Sequence, residues 1–372
     1  MQRVPFFDYP RMHQVDADKY MPNLLEVLNR SDYILRSDLE AFEQEMADFI
    51  GVKYVIGVGN GTDAIWLALM AAGIKPGDEV IIPSHTYVAT ADAVRIIGAT
   101  PVLVDCDEHH SISLDSIKLS FTPKTSAVIA VNLNGRAASL MEISSFCEEK
   151  GIKLIEDNAQ GLGARLFGQS TGTFGIAGTL SFFPAKNLGC LGDGGAVITN
   201  DDDFARQIKQ LRNHGRDSMG EVVSWGLNSR LDNIQANILR SKLPYLAESI
   251  ELRRKFGQLY CDGLSDIHEL SLPEPPGSDP THFDSYQNYE IEADKRDLLR
   301  EFLAKRGVGT ILPWNGKAVH QFNLPGVRVS SVPNTEKLFR KVLLLPMNQY
   351  LSEEDIAYVV LQVREFYRNG KS

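Results

Sequence analysis

Between Lys53 and Val104 short apolar runs alternate with helical segments: Lys53 to Val58, Ile65 to Ala72, Glu79 to Ile82, Tyr87 to Ile97 and Thr100 to Val104. Strands joined through helices can lie parallel in one sheet, and such a sheet must be covered on both faces. This alternation predicts an α/β fold with a mostly parallel central sheet flanked by helices. Ala127 to Val131 and Lys153 to Asp157 read as two more of its strands. A chain of 372 residues exceeds what one core usually carries. The expected division is an N-terminal arm and large domain over 1–243 and a smaller α+β domain over 244–372.

Within that frame the first thirty or so residues show little periodicity and read as an arm. Ser37-Asp38-Leu39-Glu40 has the form of a capping box, with Leu39, Phe42, Met46 and Phe49 at helical spacing until Gly51. Ser139-Leu140-Met141-Glu142 reads the same way. Asp201 to Asn213 reads as a helix, and a turn over Trp225 to Asp232 opens a longer one that Pro244 is placed to kink. Leu270 to Phe283, rich in Pro, Ser and Gly, reads as a loop. After it come a strand at Tyr286 to Ile291, a helix at Arg296 to Arg306, a strand at Val308 to Leu312 and a closing helix after Ser352.

Charge and cysteine usage exclude several functions. The net charge of -10, with no dense Lys/Arg run, gives no footprint for nucleic acid. The four cysteines are widely spaced and form neither a disulfide framework nor a metal motif, so no metal is expected. No stretch reaches the roughly 18 apolar residues of a membrane span, which gives the expectation of a cytoplasmic protein with no membrane partner.

The chemistry is concentrated in a few stretches. Ser181 to Gly195 joins two buried strand-like runs through a segment with four glycines and a single lysine, Lys186. A lysine pinned there is placed to lose water from its ammonium, and the neutral amine is a nucleophile toward carbonyls. Gly57-Val58-Gly59-Asn60-Gly61-Thr62-Asp63-Ala64 runs from strand into helix and would present free N–H groups to a phosphate. It is equally readable as a tight turn, and Thr62 stands where a dinucleotide fingerprint needs its third glycine. Glu156 and Asp157 close a central strand: Asp157 is a candidate partner for a cationic ring nitrogen, or forms a salt bridge or helix cap. Glu156 either faces solvent or holds a backbone group. Gln160 is near enough to serve the same ligand, and Tyr87 offers a ring to a flat one or simply packs. An amine for an aldehyde, a carboxylate for a pyridine nitrogen and donors for a phosphate are what pyridoxal 5'-phosphate requires.

In five ordered blocks the chain resembles the DegT/StrS-type nucleotide-sugar aminotransferases, of the aspartate aminotransferase superfamily with fold type I, over nearly its whole length. The blocks are Gly59 to Ala64, Pro83 to Thr90, Glu156 to Gln160, Ser181 to Gly189 and Asn228 to Asp232. The resemblance implies a Schiff base at Lys186, Asp157 on the pyridine nitrogen, Gln160 on the ring hydroxyl and Tyr87 stacked on the ring. It implies Gly61, Thr62, Asp63 and Ser181 at the phosphate, joined by Asn228 from the partner of a homodimer. It further implies L-glutamate as donor, pyridoxamine 5'-phosphate as the aminated cofactor and a nucleotide-linked keto sugar as acceptor, with wording closer to members acting at the 3-position. Two segments depart from the family, Asn132-Leu133-Asn134-Gly135 and Leu312 to Lys317, and both are expected to face the acceptor, which makes Trp314 and Lys317 candidate substrate residues. A related sugar dehydratase would carry histidine in place of Lys186, and a nicotinamide-dependent oxidoreductase would leave the lysine loop unexplained.

Overall fold

The apolar runs assemble into one sheet in the computed structural model, which describes residues 3–369. Its first strands are β1 (Tyr54–Val58), β2 (Glu79–Pro83), β3 (Thr100–Val104), β4 (Thr125–Val131) and β5 (Lys153–Asp157). A small ribbon, β6 (Arg165–Leu166) with β7 (Gln169–Ser170), precedes β8 (Ala177–Ser181) and β9 (Gly195–Thr199). Farther on, β10 (Leu270–Ser271), β12 (Tyr289–Ala293) and β14 (Val342–Leu345) form a three-stranded sheet, while β11 (His282–Phe283) joins β6. The main sheet has the order β1, β9, β8, β5, β4, β2, β3 and then β13 (Arg328–Val329).

Only β9 runs against the rest: it is antiparallel to both β1 and β8, and every pairing from β8 through β5, β4, β2 and β3 to β13 is parallel. The C-terminal ends of the parallel strands therefore share one edge, where side chains from different strands converge. Apolar residues of α3 (Gly61–Ala71) and α4 (Val88–Ile96) cover one face with Ile56, Val80, Ile82 and Ile129. The C-terminal sheet packs on helices Leu246–Leu264 and Glu353–Asn369 around Phe256, Tyr260, Tyr289 and Val363.

Several expectations change. Residues 9–30 are not an irregular arm but the helix α1 (Tyr9–Arg30), whose buried positions are Met12, Asp16, Tyr20 and Val27. A carboxylate inside that stripe, bonded to Tyr350 and Lys19, hides the apolar period. Ser37 is the first residue of α2 (Ser37–Ile50) rather than its cap, and Arg36 in the cap position makes no side-chain capping bond. The Leu39 N–H is satisfied instead by Asn233 Oδ1 at 2.9 Å, a partner distant in sequence. Ser139 is at its cap position but its hydroxyl makes no capping bond. Val308 to Leu312 makes only isolated bridges, Val308 to Val4 and Ile311 to Leu344, because no single strand runs beside it. The break expected at Pro244 is present, as a 3-10 turn over Leu243–Tyr245 between two helices.

Two segments cross the division placed between 243 and 244. β13 extends the large sheet, and Val4 packs in the C-terminal core, where it bonds Gly307 and Gly309.

Candidate active site

Lys186 lies on the connection from β8 to β9, folded back on itself by the Cys190 N–H to Phe182 carbonyl and Phe182 N–H to Gly194 carbonyl bonds, both 2.8 Å. A Cβ at Gly189 would overlap the Pro184 carbonyl, so this return needs glycine. Lys186 is half-buried. Its amine is nevertheless desolvated, which lowers its pKa to about 8, while the nearby charge of Asp157 works in the other direction.

Asp157 ends β5 on the edge where β8 also ends, in register with Val131 of β4 and Thr179 of β8. It is buried, and burial pushes its pKa up against the opposing pull of the Thr90 hydroxyl, the Ala159 N–H and Lys186. Thr90 Oγ1 donates to Asp157 at 2.8 Å, which leaves the Thr86 hydroxyl, 2.9 Å from Thr90, to donate in turn. The two threonines lie one helical turn apart, the signal in the sequence that could have found them. Glu156 points to the opposite face and holds backbone, accepting from Gly172, Phe174 and Gly175 at 2.6, 2.6 and 3.2 Å.

Asn132, expected to face an acceptor, is fully buried. It donates to Glu156 and Asn158, both at 3.0 Å, and accepts from the Ala138 N–H. Its departure from the family therefore lies behind the site. Asn134 does reach the site: its N–H donates to Gln160 Oε1 at 2.8 Å.

At the other end, α3 starts against Ser181. Asn60 caps it by accepting the Asp63 N–H at 2.8 Å. A Cβ on Gly61 would stand 2.9 Å from Ser181 Cβ, so glycine keeps a narrow cradle open between helix start and strand end. Asp63 accepts from Ser229 Oγ at 2.6 Å, and that oxygen accepts the Gly59 N–H at 3.0 Å. With its N–H and carboxylate both engaged, Asp63 fixes the surrounding turn, leaving the first-turn N–H groups of Gly61 and Thr62 and the hydroxyls of Thr62 and Ser181 as the donors for an anion.

Tyr87 is the N-cap residue of α4, with 57% of its surface exposed beside the end of β2, so its ring is free to meet a ligand. Asn228 is exposed on a segment bridged to Asn213, one residue before Ser229. Trp314 sits with its ring edge toward His85, centroids 5.1 Å apart, and stacks on Phe339; Trp314 and Asn315 both take left-handed backbone at φ 47 and 60. Lys317 is exposed just beyond them.

Pyridoxal 5'-phosphate fits this donor set. An amine of lowered pKa and a buried carboxylate interact electrostatically, and a helix start with a cradle that a Cβ would fill provides for the phosphate. No cluster of His, Cys, Asp or Glu suited to a metal exists among the described residues.

The profile of the DegT/DnrJ/EryC1/StrS aminotransferase family matches residues 15–364. The chain is 37% identical to a UDP-N-acetyl-3-dehydro-alpha-D-glucosamine 3-aminotransferase of Acidithiobacillus ferrooxidans, over 97% of each chain. It is 36% identical to a dTDP-3-amino-3,4,6-trideoxy-alpha-D-glucose transaminase of Streptomyces venezuelae, over 98% of this chain and 96% of that one. Among solved structures, DesV of S. venezuelae in complex with a ketimine intermediate superposes with a TM-score of 0.93 at 34% identity, covering 98% of this chain and 99% of that one.

Proposed function

The chain belongs to the DegT/DnrJ/EryC1/StrS aminotransferase family, and on that premise we propose that it moves the amino group of L-glutamate onto a nucleotide-linked keto sugar, for deoxyamino-sugar synthesis. It is a pyridoxal 5'-phosphate-dependent enzyme. Glutamate leaves as 2-oxoglutarate and the sugar ketone becomes an amine. Relatives named for amination at carbon 3, with UDP and with dTDP, support the 3-position.

When bound, pyridoxal 5'-phosphate supplies an aldehyde for an amine and a ring that accepts the electron pair left when a C–H proton departs. Lys186, with a pKa of about 8, presents a largely neutral nucleophile at mildly alkaline pH. With the cofactor bound, the same amine would hold and move the proton of the reacting C–H bond. Asp157, oriented by Thr90, would hold the ring nitrogen through its carboxylate. Gly61, Thr62 and Ser181 bind the phosphate, in the turn that Asp63 fixes. Gln160 meets the ring oxygen and Tyr87 covers the ring face. Asn228 reaches the phosphate of a partner subunit, making the working unit a homodimer with shared sites. Trp314 and Lys317 line the acceptor side. No helix among the described residues is long and apolar enough to cross a membrane.

The observation that carries this reading is the convergence at one end of the sheet of buried Asp157, which ends β5, and Lys186, on the connection leaving the neighbouring β8. Purified protein is expected to be yellow, to bleach with glutamate, and to have the cofactor fixed to Lys186 by borohydride. Lys186→Ala should fold and lose transamination by at least about 1,000-fold. Near-normal turnover by that variant would refute the assignment.

A further inference from the structure

Gln287 and Asn288 stand in the C-terminal domain immediately before β12, and sequence reading gives neither a role. Gln287 is buried, with Oε1 accepting the Asn187 N–H at 2.8 Å and Nε2 donating to the Ala185 carbonyl at 2.9 Å. These are the backbone groups on either side of Lys186, so one carboxamide fixes the chain before and after the lysine. Asn288 Nδ2 donates to Asn134 Oδ1 at 2.9 Å and to Gln160 Oε1 at 3.3 Å. Gln160 Oε1 also accepts the Asn134 N–H. With its oxygen turned to two donors, Gln160 keeps its amide nitrogen as the end that can donate to an anionic oxygen.

The segment bearing this pair is firmly held. Fully buried Arg253 donates from Nη1 to the carbonyls of Tyr286, Gln287 and Met347 at 3.1, 3.1 and 3.2 Å. From the large domain, the Gly135 carbonyl accepts the Ser285 N–H at 2.8 Å. Gly135, at φ 91, permits this approach: a Cβ there would lie 2.6 Å from Ser285 Oγ and 2.8 Å from the Gln287 nitrogen. A glutamine that merely tied two domains together could bond any exposed backbone. Bonding both neighbours of one lysine leaves that lysine's Cα little room to drift.

We propose that Gln287 and Asn288 are paired positioning residues through which the C-terminal domain sets the reach of Lys186 and the orientation of the Gln160 amide. The inference rests on the reading of Lys186 as the cofactor-binding lysine. Neither residue performs a chemical step.

Gln287→Met keeps the side chain's shape and removes both bonds. Uptake of pyridoxal 5'-phosphate by its apoprotein into a borohydride-fixable adduct is expected to slow about 10-fold. The pH midpoint of uptake should stay where it is in the wild type, because Gln287 does not touch the amine. Asn288→Ala should leave the uptake rate within about 2-fold and raise the pH at which the bound cofactor's absorbance changes. Freed of Asn288, Gln160 can turn, and a ring oxygen without its donor holds a shared proton more tightly. Apoprotein melting temperatures of both variants are expected to match the wild type. Wild-type uptake by Gln287→Met, an unmoved absorbance midpoint in Asn288→Ala, or a fall in uptake that only follows a fall in melting temperature would each overturn the proposal. If wild-type protein formed no fixable adduct, the Lys186 assignment would fail instead, which keeps the two failures apart.

Discussion

Burial drives both Lys186 and Asp157 toward their neutral forms, the lysine down to about 8 and the aspartate upward, while their mutual attraction opposes this. For the lysine, loss of water outweighs the attraction. The direction has a consequence for cofactor uptake. Below a pH of about 8 the amine is mostly protonated and cannot attack an aldehyde; above it the amine is free. The uptake rate, followed by absorbance after mixing apoprotein with pyridoxal 5'-phosphate, is expected to climb about tenfold per pH unit below that midpoint and to level off above it. A rate still climbing at pH 10 would mean an amine with the pKa of lysine in water.

The start of α3 depends on close approach more than on any one side chain. Gly61→Ala places a methyl 2.9 Å from Ser181 Cβ, where backbone of both elements would have to give way. The cost of such overpacking is about 1–3 kcal/mol. If helix and strand separate to accommodate it, the phosphate donors move apart, and the dissociation constant of the cofactor, measured by fluorescence titration, should rise about 10- to 100-fold. An unchanged constant would show that the cradle is not where the phosphate sits. This arrangement was half legible in the sequence: strand, glycines and helix start could be read from Gly57 to Ala64, whereas the opposing wall at Ser181 comes from β8, more than a hundred residues on. The same division holds elsewhere. That Asp157 and Tyr87 stand at or just beyond the ends of β5 and β2 was readable because the ends of parallel strands must share an edge. Gln287 and Asn288 were not, because a carboxamide that bonds backbone in a distant loop leaves no local pattern. Helix α1 was missed because Asp16 interrupts its buried stripe, and β13 because two residues carry too little period to register.

Ion pairs tie the main sheet to the C-terminal sheet. His85 and His110 of the large domain meet Glu290 of β12 at 3.5 and 2.9 Å, and His110 also meets Glu292 at 3.3 Å. The pairing raises the pKa of His110 to about 10 and holds that of Glu290 well below the usual carboxylate range. Sequence reading had divided the chain cleanly at 243/244, and these pairs, with β13 and Val4, explain why a linear boundary captures only part of the architecture. What the single chain leaves open to solvent is the region around Asn228, where Trp225 is 94% exposed and Val222 and Val223 are 65% and 56% exposed. Apolar surface of that kind is costly in a free monomer, and in the proposed homodimer a second copy would cover it. If Asn228 serves the partner's phosphate, two inactive variants should repair each other. Lys186→Ala lacks the amine but retains Asn228; Asn228→Asp keeps the amine and places a carboxylate against the phosphate of the opposite site. A mixed dimer contains one site with both lesions and one with neither. Equal mixing with random exchange makes half the dimers mixed, so about a quarter of wild-type activity should return. Activity is measured after co-refolding the two variants and compared with each alone. Sites built from one chain would return nothing on mixing, and the shared-site dimer would then have to be abandoned.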